Sequence, residues 1–79
     1  MSKTELLARI QSNPAVVTGK PVIRGTRLTV DFIVGLLASG ATPEEITSEY
    51  PGVSGEDIQA CLLFAAQMLE DTSFVPLAA

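Results

Sequence analysis

The stretch that decides the fold is Gly19-Lys20-Pro21-Val22-Ile23-Arg24-Gly25-Thr26-Arg27, which holds three of the five basic residues and is followed only by helical patterns. Proline fixes φ and β-branched side chains favour a pleated backbone, so residues 21–23 are predicted to be extended. Gly25 permits a tight turn or bulge, after which residues 26–28 can return as a second short strand. We predict a small β-hairpin, or wing, that presents Lys20, Arg24 and Arg27. The alternative is a loop whose glycines turn corners and whose cations are merely solvated.

Size and composition limit the classes of function. A chain of 79 residues with 47% hydrophobic residues is predicted to form a single domain, residues 1–79, with a small core. One cysteine and no histidine exclude an internal disulfide and a zinc site built from nitrogen and sulfur ligands. We expect no metal, no cofactor and a buried, structural Cys61. The longest apolar run, residues 32–38, is too short to cross a membrane, and no signal peptide is recognisable, so we expect a cytoplasmic protein.

Charge is strongly segregated along the chain. Residues up to position 28 carry a net charge of +4, and those from position 29 onward carry −8 without any cation, which together give the −4 of the whole chain. We expect the acidic half to attract a basic partner. This expectation would fail if Glu56 and Asp57 were neutralised by Arg24 or Arg27 within one subunit.

Three helices are predicted after the hairpin, in a core of residues 29–70. Thr29 can cap a helix from Val30 to about Ser39 that ends at Gly40. This helix is apolar on nearly every side, so it lies centrally in the core or is covered by a second chain, and we expect a homodimer or higher homo-oligomer. Thr42-Pro43-Glu44-Glu45 begins a short helix, which Pro51-Gly52 ends.

The third helix begins at Ser54-Gly55-Glu56-Asp57, with Val53 placed to pack on Ile58. Its predicted core stripe consists of six residues: Ile58, Cys61, Leu62, Ala65, Met68 and Leu69. That stripe leaves Leu63 on the opposite side, as an exposed candidate contact.

The two ends of the chain leave alternatives open. Ser2-Lys3-Thr4-Glu5 has the form of a capping box, which favours a helix over residues 4–10, whereas a strand over residues 8–11 could instead pair with the hairpin. The apolar tail, residues 71–79, contains Phe74, Val75 and Leu77. It either folds back on the core or docks on another chain as an added strand, and we favour docking.

Neither catalysis nor helix-mediated DNA binding suits the helical half. The paired acids Glu44-Glu45 and Glu56-Asp57 lie in first helical turns, where capping and the helix dipole explain them. The short helix, the Pro51-Gly52 turn and the longer helix resemble a helix-turn-helix, but the second helix would present acids to phosphates. Any nucleic acid would therefore have to contact Lys20, Arg24 and Arg27.

A family resemblance adds to this picture. The motif residues Gly19, Pro21, Arg24, Gly25, Thr26 and Arg27, followed by a buried helix, by Thr42-Pro43-Glu44-Glu45-Ile46 and by Tyr50-Pro51, resemble the bacterial domain-of-unknown-function family four hundred and thirty-three. The resemblance covers residues 10 to 67. It implies a winged-helix or homeodomain-like three-helix fold and membership of a group generally taken to be antitoxins paired with a PIN-like ribonuclease toxin. It implies no catalytic residues.

Together these observations predict a mainly α fold, in which residues 10–28 form a hairpin or wing beside a three-helix, helix-turn-helix core. The expected function is that of a non-catalytic antitoxin-like module that binds a PIN-like toxin through its acidic helical face or its apolar tail. The alternatives are a regulator that binds promoter DNA through the hairpin arginines and a homo-oligomeric interaction module.

Overall fold

A computed structural model gives the architecture of the chain and describes residues 1–12 and 19–70. The described residues form a mainly helical fold with one small antiparallel sheet. The elements, in chain order, are α1 (Lys3–Leu7), β1 (Ile10–Gln11), β2 (Val22–Ile23), α2 (Val30–Ala38), α3 (Pro43–Glu49) and α4 (Gly55–Glu70). The predicted helical core with an N-terminal strand pair is therefore confirmed. Within the described ranges, no helix is both long enough and apolar enough to span a bilayer.

The N-terminal segment contains both of the structures that the sequence left as alternatives. Ser2 caps α1 through a reciprocal box, in which the Ser2 hydroxyl accepts from the Glu5 N–H at 3.1 Å and the Glu5 carboxylate accepts from the Ser2 N–H at 3.1 Å. The helix is shorter than predicted and ends before β1. β1 then pairs antiparallel with β2, with Ile10 opposite Ile23 and Gln11 opposite Val22.

The predicted return strand over residues 26–28 is reduced to a turn and one bridge. The Thr26 N–H donates to the Ile23 carbonyl at 3.0 Å, and the Thr26 hydroxyl donates to the same oxygen at 2.8 Å. The Leu28 N–H donates to that hydroxyl at 3.0 Å, so the threonine side chain closes the turn. Only Val22 and Thr29 then form an isolated antiparallel bridge, and β1 replaces the expected partner of β2.

The predicted boundaries of α2, α3 and α4 agree with the structure because they rest on local chemistry. Thr29 caps α2 by accepting from the Phe32 N–H at 3.2 Å. Gly40, at φ +102°, lets the N–H groups of residues 40 and 41 donate back to the Leu37 and Leu36 carbonyls at 3.0 Å, which is a Schellman ending. Thr42 and Glu45 form the predicted capping box of α3, with bonds of 2.8 and 3.1 Å.

The core lies between the sheet, α2, α3 and α4. Its largest fully buried side chains are Ile23, Ile33, Ile46, Val22 and Cys61. Val53 and Ile58 are 3% and 2% exposed, as the predicted staple at the start of α4 requires. Isoleucine and valine dominate because the elements are short and their branched side chains fill the space between sheet and helices.

The predicted core stripe of α4 is wrong at three of its six positions. Ile58 and Cys61 are buried, but Leu62, Met68 and Leu69 are 46%, 58% and 70% exposed. The buried face instead contains Asp57 and Ala60, and Leu63 is half-buried instead of exposed. Bulky apolar residues dominated the predicted stripe, whereas a small alanine and an ion-paired aspartate allow α4 to approach α1, α2 and β1 closely.

Candidate partner-binding surfaces

Backbone conformation and backbone hydrogen bonds determine the structure of the motif segment, residues 19–27. Gly19 and Gly25 adopt φ values of +82° and +83°, in the left-handed region that disfavours a Cβ atom. The Pro21 carbonyl accepts from the Val30 N–H at 3.0 Å, which ties the segment to the start of α2. Together with the Thr26 turn, these contacts account for the glycines, proline and threonine of the motif as structural residues.

The three motif cations are exposed, and two of them contact other residues in the described part of the chain. Lys20 Nζ lies 3.6 Å from Asp31 Oδ2, and both side chains are more than half exposed, so this pair is weak and screened by solvent. Arg24 Nε donates to the Ala8 carbonyl at 3.0 Å, which leaves its two terminal amino groups outside that bond. Arg27 is exposed at the end of the turn.

A partly buried ion pair joins the N-terminal segment to α4, and the sequence did not reveal it. Arg9 Nη1 donates to Asp57 Oδ1 at 3.1 Å, where the Asp57 side chain is only 11% exposed. Asp57 Oδ2 accepts from the Ser54 N–H at 2.9 Å, and the Ser54 hydroxyl accepts from the Asp57 N–H at 3.2 Å. Asp57 is therefore neutralised within the chain, by Arg9 and not by Arg24 or Arg27. In the sequence, only the spacing of Ser54 and Asp57 at the start of the third predicted helix indicated any part of this arrangement.

Acidic side chains are concentrated on α3 and the first turn of α4. Asp31 and Asp57 pair within the chain, whereas no ion pair in residues 1–12 and 19–70 involves Glu44, Glu45, Glu49 or Glu56, all of which are exposed. We call these four glutamates the acidic surface. Glu56 lines a concavity of about 420 Å³ with Pro43, Gln59 and the exposed Leu62, whereas Glu45 and Glu49 line a different concavity.

An apolar groove lies on a different part of the molecule, between α2 and α4. Its concave volume is about 460 Å³. Val30 and Val34 line one side, and Phe64, Ala65, Met68 and Leu69 line the other, with Lys20, Pro21 and Asp31 at the margin. We call this feature the α2–α4 groove.

The described residues offer little reactive chemistry. They contain no group of three or more histidine, cysteine, aspartate or glutamate residues that could hold a metal ion. Burial, and secondarily the charge of Asp57, raises the pKa of the Cys61 thiol to about 11. Because the thiolate is the nucleophilic form, a buried thiol with this pKa is inert near neutral pH.

Sequence comparison places this fold in a family. Residues 10–65 match the family model described as Protein of unknown function (DUF433). The chain belongs to this family. The matched region begins at β1 and ends within α4, so it includes the motif segment, the acidic surface and part of the α2–α4 groove.

Two relatives agree with this assignment. An uncharacterized protein, y4eO, from Sinorhizobium fredii is 30% identical over 56 residues, which are 71% of this chain and 25% of that protein. The chain thus spans about a quarter of the length of this curated relative. A crystal structure of a DUF433 member protein from Anabaena variabilis superposes with a TM-score of 0.76 at 34% identity, covering 85% of this chain and 66% of that one.

The predicted contact residues are distributed over different parts of the chain. Lys20 lies at the margin of the α2–α4 groove, while Arg24 lines a separate concavity with Arg9 and Asp57. Leu63 is half-buried. Phe74, Val75 and Leu77 lie outside the described residues, so their predicted role in partner binding stays a prediction.

Proposed function

We propose that this chain is a cytoplasmic, non-catalytic, antitoxin-like binding module that neutralises a PIN-like ribonuclease toxin. The observation that carries the proposal is the acidic surface. Asp31 and Asp57 pair with cations of the N-terminal segment, yet four glutamates on α3 and α4 remain exposed outside any such pair in the described part of the chain.

The partner's chemistry follows from this surface. A ribonuclease binds a polyanion, so its substrate groove carries positive charge. Four exposed carboxylates on two neighbouring helices, α3 and α4, resemble such a polyanion electrostatically. Complementary charge of this kind accelerates encounter and selects the partner, while adjacent apolar contacts prolong the complex. The exposed Leu62, beside Gln59 and Glu56, supplies an apolar contact next to the acids.

The proposal is tested by inhibition of RNA cleavage. The chain is titrated into a PIN-like nuclease encoded beside its own gene, and cleavage of a single-stranded RNA is followed. We expect stoichiometric inhibition by the natural chain and at least about tenfold weaker inhibition by the triple variant E44Q/E49Q/E56Q, which corresponds to about 1.4 kcal/mol.

The matched control is Glu70→Gln, which removes one acid at the far end of α4. It should inhibit like the natural chain. Circular dichroism confirms that each variant is folded, since Glu44 and Glu56 also lie in first helical turns. Absence of inhibition by the natural chain contradicts the proposed partner, and equal inhibition by the triple variant contradicts the proposed surface.

Transcriptional autoregulation through promoter DNA is the second candidate, favoured by one observation. Arg24 and Arg27 are both exposed beside the turn after β2. If they contact phosphates, binding should weaken steeply with salt, and the double variant R24Q/R27Q should reduce the logarithmic salt slope by about 0.9 for each lost phosphate contact. No mobility shift with promoter DNA at low salt would exclude this candidate.

A further inference from the structure

Two arginines lie opposite each other just outside the two-stranded sheet. β1 and β2 pair with Ile10 opposite Ile23, so the same register places Arg9 opposite Arg24 one position further along. The Arg24 N–H donates to the Arg9 carbonyl at 2.7 Å, which shows that the pairing continues to this position. Side chains directly opposite each other in an antiparallel pair project from the same face, with Cβ atoms about 4.5–5.5 Å apart. Two like charges at such positions repel each other unless an anion lies beside them.

The described residues supply a carboxylate partner for only one of the two arginines. Arg9 Nη1 donates to Asp57 Oδ1, and Asp57 Oδ2 accepts from the Ser54 N–H, so both oxygens of this carboxylate already have a donor. Neither ion pair within residues 1–12 and 19–70 involves Arg24. The positive charge of Arg24 is therefore left without a carboxylate partner in this part of the chain.

Both arginines line one concavity, whose volume is about 470 Å³. Arg24 Nε donates to the Ala8 carbonyl at 3.0 Å, which orients the guanidinium group and leaves its two terminal amino groups for another acceptor. Among the described residues, the side-chain hydrogen bonds of Arg9 use only Nη1, so its Nε and Nη2 are also free to donate. A guanidinium group whose orientation is already fixed loses less conformational freedom when it binds an anion.

The donors of this concavity match a phosphoryl group. A phosphoryl group has enough oxygens to accept from two guanidinium groups at once, whereas one bidentate arginine already uses both oxygens of a carboxylate. Glu5 also lines the concavity and opposes anion binding. The Ser2 N–H donates to the Glu5 carboxylate and lowers its pKa, so Glu5 is charged at neutral pH and we expect only a modest affinity.

We propose that Arg9 and Arg24 together bind a phosphoryl group in this concavity, carried either by a nucleic-acid backbone or by a small phosphorylated molecule. Arg24 supplies the oriented guanidinium group, and Arg9 supplies a second set of donors while it keeps its bond to Asp57. The inference does not depend on the acidic surface or on a nuclease partner. It also does not require Arg27, which the promoter-DNA candidate uses.

The test is a titration of the natural chain with inorganic phosphate at constant ionic strength, followed through the arginine Nε–H resonances in nuclear magnetic resonance spectra. The Arg9 and Arg24 resonances should shift and saturate with a Kd of about 1–10 mM. An equivalent titration with chloride should produce no saturable shift. If phosphate also produces none, the proposal is wrong.

Three variants separate a built site from general electrostatic attraction, and the amide spectrum of each confirms its fold. Arg24→Lys keeps the charge but loses the planar fork, so it should weaken phosphate binding by at least about fivefold. Glu5→Gln removes the opposing charge, while glutamine can still close the capping box of α1, so it should strengthen binding by at least about twofold. Lys3→Gln removes an exposed cation of α1 that does not line the concavity, and should change the affinity less than either. Equal weakening by Arg24→Lys and Lys3→Gln would overturn the proposal.

A short DNA duplex distinguishes the two sources of the phosphoryl group. If the source is a nucleic-acid backbone, the duplex should shift the Arg9 and Arg24 resonances at concentrations at least about tenfold below those of inorganic phosphate, because it makes several phosphate contacts at once. Shifts with inorganic phosphate but not with the duplex would assign the site to a small phosphorylated molecule. That result would exclude the promoter-DNA candidate and leave the phosphoryl site in place.

Discussion

Replacing Asp57 with asparagine isolates the electrostatic part of the partly buried Arg9–Asp57 contact. Asparagine keeps the size of the side chain and an oxygen that can accept from the Ser54 N–H, so the helix cap survives. The carboxylate charge that faces Arg9 at 3.1 Å is lost. Asp57→Ala removes the charge and also the side-chain acceptor of the Ser54 N–H, while the residue 57 N–H can still donate to the Ser54 hydroxyl, so comparison of the two variants separates the two contributions.

The expected cost lies between those of surface and buried pairs. Breaking a fully buried pair costs about 3–5 kcal/mol, and an exposed pair about 0.2–1 kcal/mol. Here Asp57 is 11% exposed and the Arg9 side chain 34%, so Arg9 can recover hydration when its partner is lost. We therefore expect D57N to lower the free energy of unfolding by about 1–3 kcal/mol, and D57A by about 1 kcal/mol more.

Urea denaturation followed by circular dichroism measures this cost, and a double-mutant cycle with Arg9→Gln isolates the pairwise coupling, expected at about 1–2 kcal/mol. Asp31→Asn is the matched control, since it removes an acid from the exposed, solvent-screened Lys20 pair and should cost less than D57N. If D57N costs no more than D31N, the pair does not anchor the N-terminal segment to α4.

Three further predictions address the core, the turn and the thiol. Ile33→Ala, at a fully buried position of α2, should cost about 2–5 kcal/mol in urea denaturation, against about 0.5–1.5 for Ile33→Val. Gly25→Ala should cost about 1–2 kcal/mol because a φ of +83° is unfavourable for a residue with a Cβ atom. Gly35→Ala, in open space within α2, should instead stabilise the fold by about 0.5–1 kcal/mol. Equal effects of the two substitutions would show that backbone conformation does not explain the cost at Gly25. At pH 8 the Cys61 thiol should react with iodoacetamide at least about 100-fold more slowly than a thiol of pKa 9.0, since its pKa is about 11. Because the pKa of Cys61 is raised in the folded state, the protonated thiol contributes its full stability below pH 9.0. This contribution is lost as the pH rises from 9.0 to about 11. The free energy of unfolding of Cys61→Ala and of the natural chain, measured over a pH series, tests this expectation.

The sequence predicted those features of the fold that local chemistry determines. Thr29, Thr42 and Ser54 begin helices because their hydroxyls satisfy free N–H groups one turn later, and Gly40 ends one because it tolerates a positive φ. Each of these capping residues lies within four positions of the backbone groups that it affects. This is why the boundaries of α2, α3 and α4 agree with the structure while no long-range contact was needed.

Apart from the length of α1, the errors concern contacts between segments that are distant in sequence. Arg9 and Asp57 are 48 positions apart, and no periodicity connects a residue before β1 with the first turn of α4. The buried face of α4 depends on that pair and on Ala60, a residue too small to dominate a hydrophobic pattern. In the same way, β2 pairs with β1 across residues 12–21, although the nearer residues 26–28 were the expected partner.

The sign of the charge on the helical half could be predicted from the sequence, but the residues that form each candidate surface could not. Segregation of charge along the sequence correctly indicated an acidic helical half, but it could not show that Asp31 and Asp57 are paired with Lys20 and Arg9. These pairs restrict the exposed excess charge to α3 and the ends of α4. The α2–α4 groove was hidden because Met68 and Leu69 were assigned to the core.

The central claim, that the acidic surface guides this chain to a basic partner, is tested most directly by the association rate constant with the PIN-like nuclease at rising ionic strength. Stopped-flow measurements at ~50 and ~500 mM salt should show the rate for the natural chain falling by about tenfold or more, towards that of E44Q/E49Q/E56Q, which should change little. A natural chain that associates as slowly as the triple variant at low salt would contradict the account.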